Sequence, residues 1–253
     1  MRMLLLNGNT DAAMTERLRA LAQARLDRLG RAEVVLQPAT ARFGARYIAT
    51  RAAAAVAAHA VIEQVAEHAA SVDAVAIACF GDPGLLAARE IVPLPVRAMA
   101  EASIEAALRL APRAVLLTGG PLWVPMLGEL AHALGYGADR VLVRAVAPPG
   151  DVLARDPEGS AALLAEAAAE AVRDGAGAVV LGGAGLAGLA PPVAARLAAR
   201  LAAIGGGATP VLDSLDCLLD AALAPSAAAF PAAPSAPSVG LSPSLAAALS
   251  GGR

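Results

Sequence analysis

Short apolar runs alternate with alanine-rich segments of helical period along most of this chain, and turns of glycine, asparagine, aspartate or proline separate them. Residues 3–6, 34–36, 74–78, 114–117, 141–145, 178–181 and 211–212 read as strands. Helices are predicted from a cap at Thr10 or Asp11 through leucines 18, 21, 26 and 29, then over 50–70, 85–90, 99–110, 122–134, 159–174 and 193–204, and from Asp213 or Ser214 to about 223. Such alternation with short connections predicts an α/β fold with mainly parallel sheets flanked by helices. Residues 74–78 are all small or β-branched, as a central strand covered on both faces requires. Pro125 falls in the first turn of its helix, and Gly205 to Gly207 end another. Pro93 and Pro95 break the pattern and read as a crossing between lobes.

Two features repeat at nearly one period. The segment MLLLNGN at 3–9 matches VLLTGG at 115–120, and VDAVAIACF at 72–80 matches GAVVLGG at 177–183. The separations are 111 residues from Asn7 to Thr118 and 104 from Cys79 to Gly183. The chain therefore reads as two pseudo-symmetric lobes, one from residues 1–95 plus about 213–224 and the other from 96–212. Because ligands of open α/β sheets bind beyond the carboxyl ends of the strands, the turns at Asn7, Thr118, Cys79 and Gly183 are expected around one site in a cleft between the lobes. From residue 225 to 253 the composition turns to Pro, Ser and Ala, which predicts an extended tail, with 245–249 able to dock as one helical turn.

Hydrophobic residues make up 57 % of the chain, largely as alanine, yet charges break every apolar stretch before the roughly 18–20 residues needed to span a bilayer. A net charge of −2 and 2 % aromatics give no basic, stacking surface for nucleic acid. A small acidic or neutral metabolite is the expected partner, with no membrane and no nucleic acid. The first apolar residues end at Asn7 with no cleavable leader, and the two cysteines differ in context, so a cytoplasmic protein with reduced thiols is expected. Alanine-rich helices with few charges favour a homo-oligomer.

Cys79 stands at the carboxyl end of a predicted central strand, just before Gly81-Asp82-Pro83-Gly84 and a helix start. Backbone N–H groups and the helix dipole there are expected to stabilise a thiolate and make it a base or nucleophile. A buried structural cysteine is the other reading, and position alone leaves both open. Asn7, Asn9 and Thr10 in one turn, and Thr118, Gly119 and Gly120 in the other, offer donors that suit a carboxylate or planar anion. Capped tight turns would look the same. The first turn lacks the GxGxxG dinucleotide fingerprint. Cys217 in DSLDCLLD reads as core packing; His59, His68 and His132 lie in helices without ligand spacing, so no metal is expected. Trp123 and Tyr47 read as packing or pocket lining, and Ser103, Ser160 and Ser214 lack a GxSxG elbow.

The segments MLLLNGNT, ACFGDPGLLAARE at 78–90, LTGGPLWVPML at 117–127 and LGGAGL at 181–186 resemble the aspartate/glutamate/hydantoin racemase superfamily, over about residues 1–223. CFGDPGL looks like the first catalytic-cysteine motif of hydantoin and allantoin racemases. The resemblance implies two pseudo-symmetric α/β lobes, no cofactor, and a substrate whose acidic carbon lies between two cysteines, one removing a proton and one supplying it. Cys79 matches the first cysteine. The second would stand at Gly183, where a motif similar to LGCAGM reads LGGAGL and offers no titratable group. Phe80 and Ala184, beside these two positions, join Asn7, Asn9, Thr10, Thr118, Gly119, Gly120 and Gly183 as substrate-binding candidates. Arylmalonate decarboxylases of the superfamily keep the second cysteine and lose the first, the reverse of this chain. The resemblance thus implies a racemase or isomerase in which Cys79 works with water or another group, a one-thiol lyase, or a binding protein that has lost turnover.

Overall fold

A computed structural model describes residues 1–146, 153, 155–225 and 238–250. In chain order its elements are β1 (Arg2–Asn7), α1 (Ala12–Arg28), β2 (Val35–Thr40), α2 (Arg51–His68), β3 (Ala74–Ile77), α3 (Leu85–Ile91), β4 (Val96–Ala98), α4 (Met99–Leu110), β5 (Ala114–Gly119) and α5 (Trp123–Ala133). They continue as β6 (Val141–Val146), α6 (Pro157–Arg173), β7 (Ala178–Gly182), α7 (Ala190–Ala202), β8 (Val211–Asp213), α8 (Ser214–Leu223) and α9 (Pro243–Leu249). Two compact units result, Met1–Ala98 with Leu218–Arg253, and Met99–Cys217.

Each unit holds a four-stranded, all-parallel sheet, in the order β2-β1-β3-β4 in the first and β6-β5-β7-β8 in the second. The α/β architecture read from the sequence is thus the observed one. The central strands are apolar throughout and wholly buried, β3 as AVAI and the first four residues of β5 as AVLL, because helices cover both faces of a parallel sheet. Pro38 sits in β2, an edge strand, where the missing N–H leaves no gap in the ladder.

Helix starts follow the expected chemistry. The Asp11 carboxylate accepts from the Ala13 and Met14 amides at 3.0 and 3.3 Å, the Thr50 hydroxyl from Ala53 at 3.1 Å, and the Asp156 carboxylate from Gly159 at 3.0 Å beside Pro157. On α1 the buried stripe is Thr15, Leu18, Ala22 and Leu26, whereas Leu29 is exposed. The leucine pattern overestimated that face, because small residues fill the inner positions.

Two further departures concern the ends of units. The proline-flanked segment read as a crossover contains β4, whose Val96, Arg97 and Ala98 pair with Val75, Ala76 and Ile77, so residues 96–98 complete the first sheet instead of opening the second lobe. Three residues directly after Pro95 carry too short a pattern to reveal a strand. The docking read for 245–249 is observed, but as a longer helix, Pro243–Leu249, packed on α2. Ser242 caps it, accepting from the Leu245 amide at 3.2 Å and donating to Glu63, while the Leu245 side chain is fully buried. Residues 226–237 and 251–253 of the expected tail lie outside the described residues.

Candidate active site

The parallel pairing of β1 with β3 puts Leu6 beside Ile77, so the next residues of both strands emerge together at the carboxyl edge of the first sheet. Gly8 and Cys79 meet there. A Cβ built on Gly8 would lie 3.2 Å from the Cys79 Cβ, 3.4 Å from its Sγ and 3.0 Å from Pro83 Cγ, so a side chain there would press on both the turn and the sulfur. The same closeness lets the Gly8 amide donate to the sulfur.

Asn7 builds this turn from inside. Its side-chain amide donates to Asn9 Oδ1 at 2.8 Å, Thr15 Oγ1 at 3.0 Å and the Asp11 carbonyl at 3.1 Å, and its Oδ1 accepts from the Asn9 amide at 3.2 Å. Thr15 passes the network to Thr40 at 2.7 Å, and Thr10 donates its amide to the Ala45 carbonyl at 3.1 Å. Asn7 is buried and Asn9 and Thr10 are half-buried, so the expected binding residues of this lobe are gathered at the strand end, with the Asn7 amide turned inward.

Cys79 and Phe80 are both buried. The chain then folds sharply: Gly81 has φ 131°, Asp82 has φ 51° and Gly84 has φ 75°, with the Asp82 amide donating to the Cys79 carbonyl at 3.1 Å. Helix α3 begins only at Leu85, six residues after the thiol. The expectation of a dipole-stabilised thiolate is therefore corrected. Burial, joined by the Asp82 charge and opposed by the Gly8 amide, pushes the Cys79 thiol up from its ordinary 9.0 to about 12. This environment favours the protonated thiol over the thiolate.

In the second unit β5 pairs with β7 in the equivalent register, Leu117 beside Leu181 and Thr118 beside Gly182. Counting on from these pairs, Asn7 corresponds to Thr118 and Cys79 to Gly183. Thr118 is buried, and the Gly120 amide donates to the Val146 carbonyl at 2.9 Å with φ 86°. Gly183 has φ 155° and ψ 140°, a backbone state that L-residues rarely adopt, although a Cβ there would find only ordinary contact with Leu186 at 3.7 Å. Ala184 opens a 3-10 turn, Ala184–Leu186, closed by the Leu186 amide on the Gly183 carbonyl at 2.9 Å.

Asp213, at the end of β8, was not anticipated as part of this edge. Its carboxylate accepts from Gly188 at 2.6 Å and Leu215 at 3.0 Å, tying the loop after Gly183 to the start of α8, and burial raises its proton affinity despite those bonds. Gly8 was also missed as a seat for the sulfur, though the glycine directly after Asn7 was the available signal. Cys217 is a buried thiol on α8. Among the described residues no three His, Cys, Asp or Glu side chains gather as metal ligands, and no helix is long and apolar enough to cross a membrane.

The profile of the Asp/Glu/Hydantoin racemase family matches residues 3–222. The chain belongs to that family. Hydantoin racemase of Pseudomonas sp. (strain NS671) is 33 % identical over 191 residues, covering 74 % of each chain, and hydantoin racemase of Paenarthrobacter aurescens is 36 % identical over 195 residues, covering 75 % of this chain and 80 % of the relative. Hydantoin racemase of Rhizobium meliloti is 40 % identical over 121 residues, a match that spans about half of either protein, 47 % of this chain and 49 % of the relative. Among solved structures, allantoin racemase from Klebsiella pneumoniae superposes with a TM-score of 0.72 at 30 % identity, covering 87 % of this chain and 85 % of that one. Allantoin racemase from Pseudomonas fluorescens gives 0.78 at 27 % identity, covering 88 % and 89 %. Glutamate racemase RacE1 from Bacillus anthracis, at 14 % identity and a TM-score of 0.57 over 86 % of this chain and 78 % of that one, shares the fold.

Proposed function

We propose that this protein is a cofactor-independent isomerase acting at the acidic carbon of a hydantoin, an amino acid or a related small carboxylate, with Cys79 carrying the proton. One observation bears most of the weight: Cys79 is seated between Gly8 and the Gly81–Gly84 turn at a strand end, in a family whose relatives of about one-third identity over three quarters of their length are named hydantoin racemases. A carbon beside a ring or acid carbonyl loses its proton when the electron pair can move into that carbonyl. Donors aimed at the developing oxyanion lower the barrier, and beside Cys79 the Asn9 side-chain amide and the Thr10 hydroxyl are the candidates for that role, because the Asn9 and Thr10 backbone amides are already bonded to Asn7 Oδ1 and the Ala45 carbonyl. Cys79 would exchange a proton with one face of the planar intermediate, and water would serve the other, since Gly183 has no side chain.

A second reading draws on two features together, the glycine at 183 and the protonated state of Cys79. A thiol that holds its proton at neutral pH suits donation. In a one-thiol lyase, a malonate-type substrate would lose CO₂, its electron pair would move into the remaining carboxyl to give an enediolate, and Cys79 would deliver its proton to the carbon and regain one from solvent.

Incubation of 5-substituted hydantoins, allantoin, amino acids and arylmalonates in D₂O separates these readings, with Cys79→Ser beside the wild type. Inversion with deuterium uptake supports the isomerase. Release of CO₂ without inversion supports the lyase, and ligand-induced thermal stabilisation with no turnover of any substrate would leave a binding protein and overturn both.

A further inference from the structure

At the end of β1 the buried Asn7 carboxamide fixes the one beside it. Its nitrogen donates to Asn9 Oδ1 at 2.8 Å, Thr15 Oγ1 at 3.0 Å and the Asp11 carbonyl at 3.1 Å, and its Oδ1 accepts from the Asn9 amide at 3.2 Å. Asn9 Oδ1 also accepts from the Asp11 amide, at 2.9 Å. A backbone amide can only donate, so in both side chains the oxygen must be the atom that those amides address. The Asn9 oxygen then has a donor for each of its two lone pairs. What is left over is the Asn9 NH₂, which meets no acceptor among the described residues. Asn9 is half-buried, and its nitrogen is not one of the buried side-chain atoms that lack a partner, so it opens to solvent. Gly8, between the two asparagines, packs against the Cys79 side chain, so this NH₂ belongs to the turn that touches the thiol.

Reversing the chain does not require this device. In the second unit the equivalent register positions hold Thr118, Gly119 and Gly120, and none of them carries a carboxamide. In the first unit Asn7 is itself anchored from behind: Thr40, its partner at the end of β2, meets Thr15 at 2.7 Å, and Thr15 accepts from the Asn7 nitrogen. We propose that Asn7 is a positioning residue that acts through Asn9, a role that rests on the Cys79 edge being the substrate site. It holds its neighbour's oxygen inward and NH₂ outward, so this edge takes a substrate by an acceptor oxygen, a ring carbonyl or a carboxylate, and not by a donor. Asn7, which the sequence placed among the groups that touch the ligand, sets which end of Asn9 the ligand meets.

Nuclear magnetic resonance reads the two carboxamides directly. In the nitrogen-15-labelled full chain, the side-chain NH₂ signals of Asn7 and Asn9 are assigned by their loss in Asn7→Asp and Asn9→Ala and followed by exchange with water. The Asn9 signal should exchange about tenfold faster than the buried Asn7 signal. Asn7→Asp keeps the acceptor for the Asn9 amide and sets a second acceptor where the nitrogen stood, which should draw the Asn9 NH₂ inward and slow its exchange about tenfold. Calorimetry with 5-benzylhydantoin gives the second reading. Binding should weaken about tenfold in Asn7→Asp, Asn9→Ala and Asn7→Thr, the last being the residue that the second unit uses and the variant that decides should Asn7→Asp fail to fold. The double variant Asn7→Thr/Asn9→Ala should bind no worse than Asn9→Ala, because Asn7 acts only through Asn9. Additive losses in the double variant, or an Asn9 NH₂ as slow to exchange in the wild type as that of Asn7, would overturn the proposal. The exchange reading needs no ligand, so a wild type that neither binds nor turns over the hydantoin would count against the reading of function, while the Asn7 proposal would be decided by exchange alone.

Discussion

The two units have one sheet order and one strand register, yet they treat the residue beyond their third strand in opposite ways. In the first unit that residue is a cysteine, with Gly8 tightly packed against it and Asp82 in the left-handed region, φ 51°, three residues on. In the second it is Gly183, with room for a side chain and a backbone that disfavours one. The loops are also secured differently, the first by a turn within itself and the second by Asp213, reaching from the neighbouring strand. The two units thus offer equivalent strand ends, and local backbone detail distinguishes the one that holds a thiol from the one that holds a glycine.

The largest effect expected from breaking this contrast is on turnover. Cys79→Ser should lower isotope exchange or CO₂ release by about 10³-fold while the melting temperature stays near wild type. Gly84→Ala comes next. Its Cβ would lie 2.9 Å from the Ala58 carbonyl oxygen in α2, at φ 75°, so a loss of about 3 kcal/mol in denaturant unfolding is expected. Gly8→Ala should cost about 1–3 kcal/mol and displace the thiol, because its crowded neighbours include the rigid Pro83 ring. At the matched site of the second unit, Gly183→Cys should lose about 1–2 kcal/mol through backbone strain alone. Stability equal to wild type would show that position 183 is an unfilled cysteine seat after all.

An effect confined to alkaline pH follows from the raised proton affinity of Cys79. The folded thiol holds its proton from its ordinary 9.0 up to about 12, so between those values the unfolded chain has released a proton that the native state keeps. The stability contribution is present below pH 9.0 and is lost as pH rises toward 12, by at most about 1.4 kcal/mol per pH unit. Denaturation curves of wild type and Cys79→Ser should therefore diverge in that window, with the wild type falling faster; parallel curves would place the thiol in a less enclosed site.

Much of this was legible in the sequence because the signals are local. The runs AVAI and AVLL with their following turns define the central strands, and the Asn7/Thr118 and Cys79/Gly183 spacings give the duplication. What escaped depends on contacts distant in the chain or on dihedral angles. Strand β4 is three residues directly after Pro95 and is recognised by pairing with β3. The thiol's proton affinity depends on its burial among residues brought from β1 and the Asp82 turn, whereas the sequence suggested a helix terminus that begins six residues later. Nothing in LGGAGL announces that the second glycine has φ 155°.

Deuterium incorporation at the acidic carbon of a 5-substituted hydantoin, followed by mass spectrometry for wild type and Cys79→Ser, tests the central claim most directly. Exchange is expected in the wild type, with its loss by about 10³-fold in the variant. Equal exchange in the two proteins would contradict it, since the proton would then travel by a route that does not pass through Cys79.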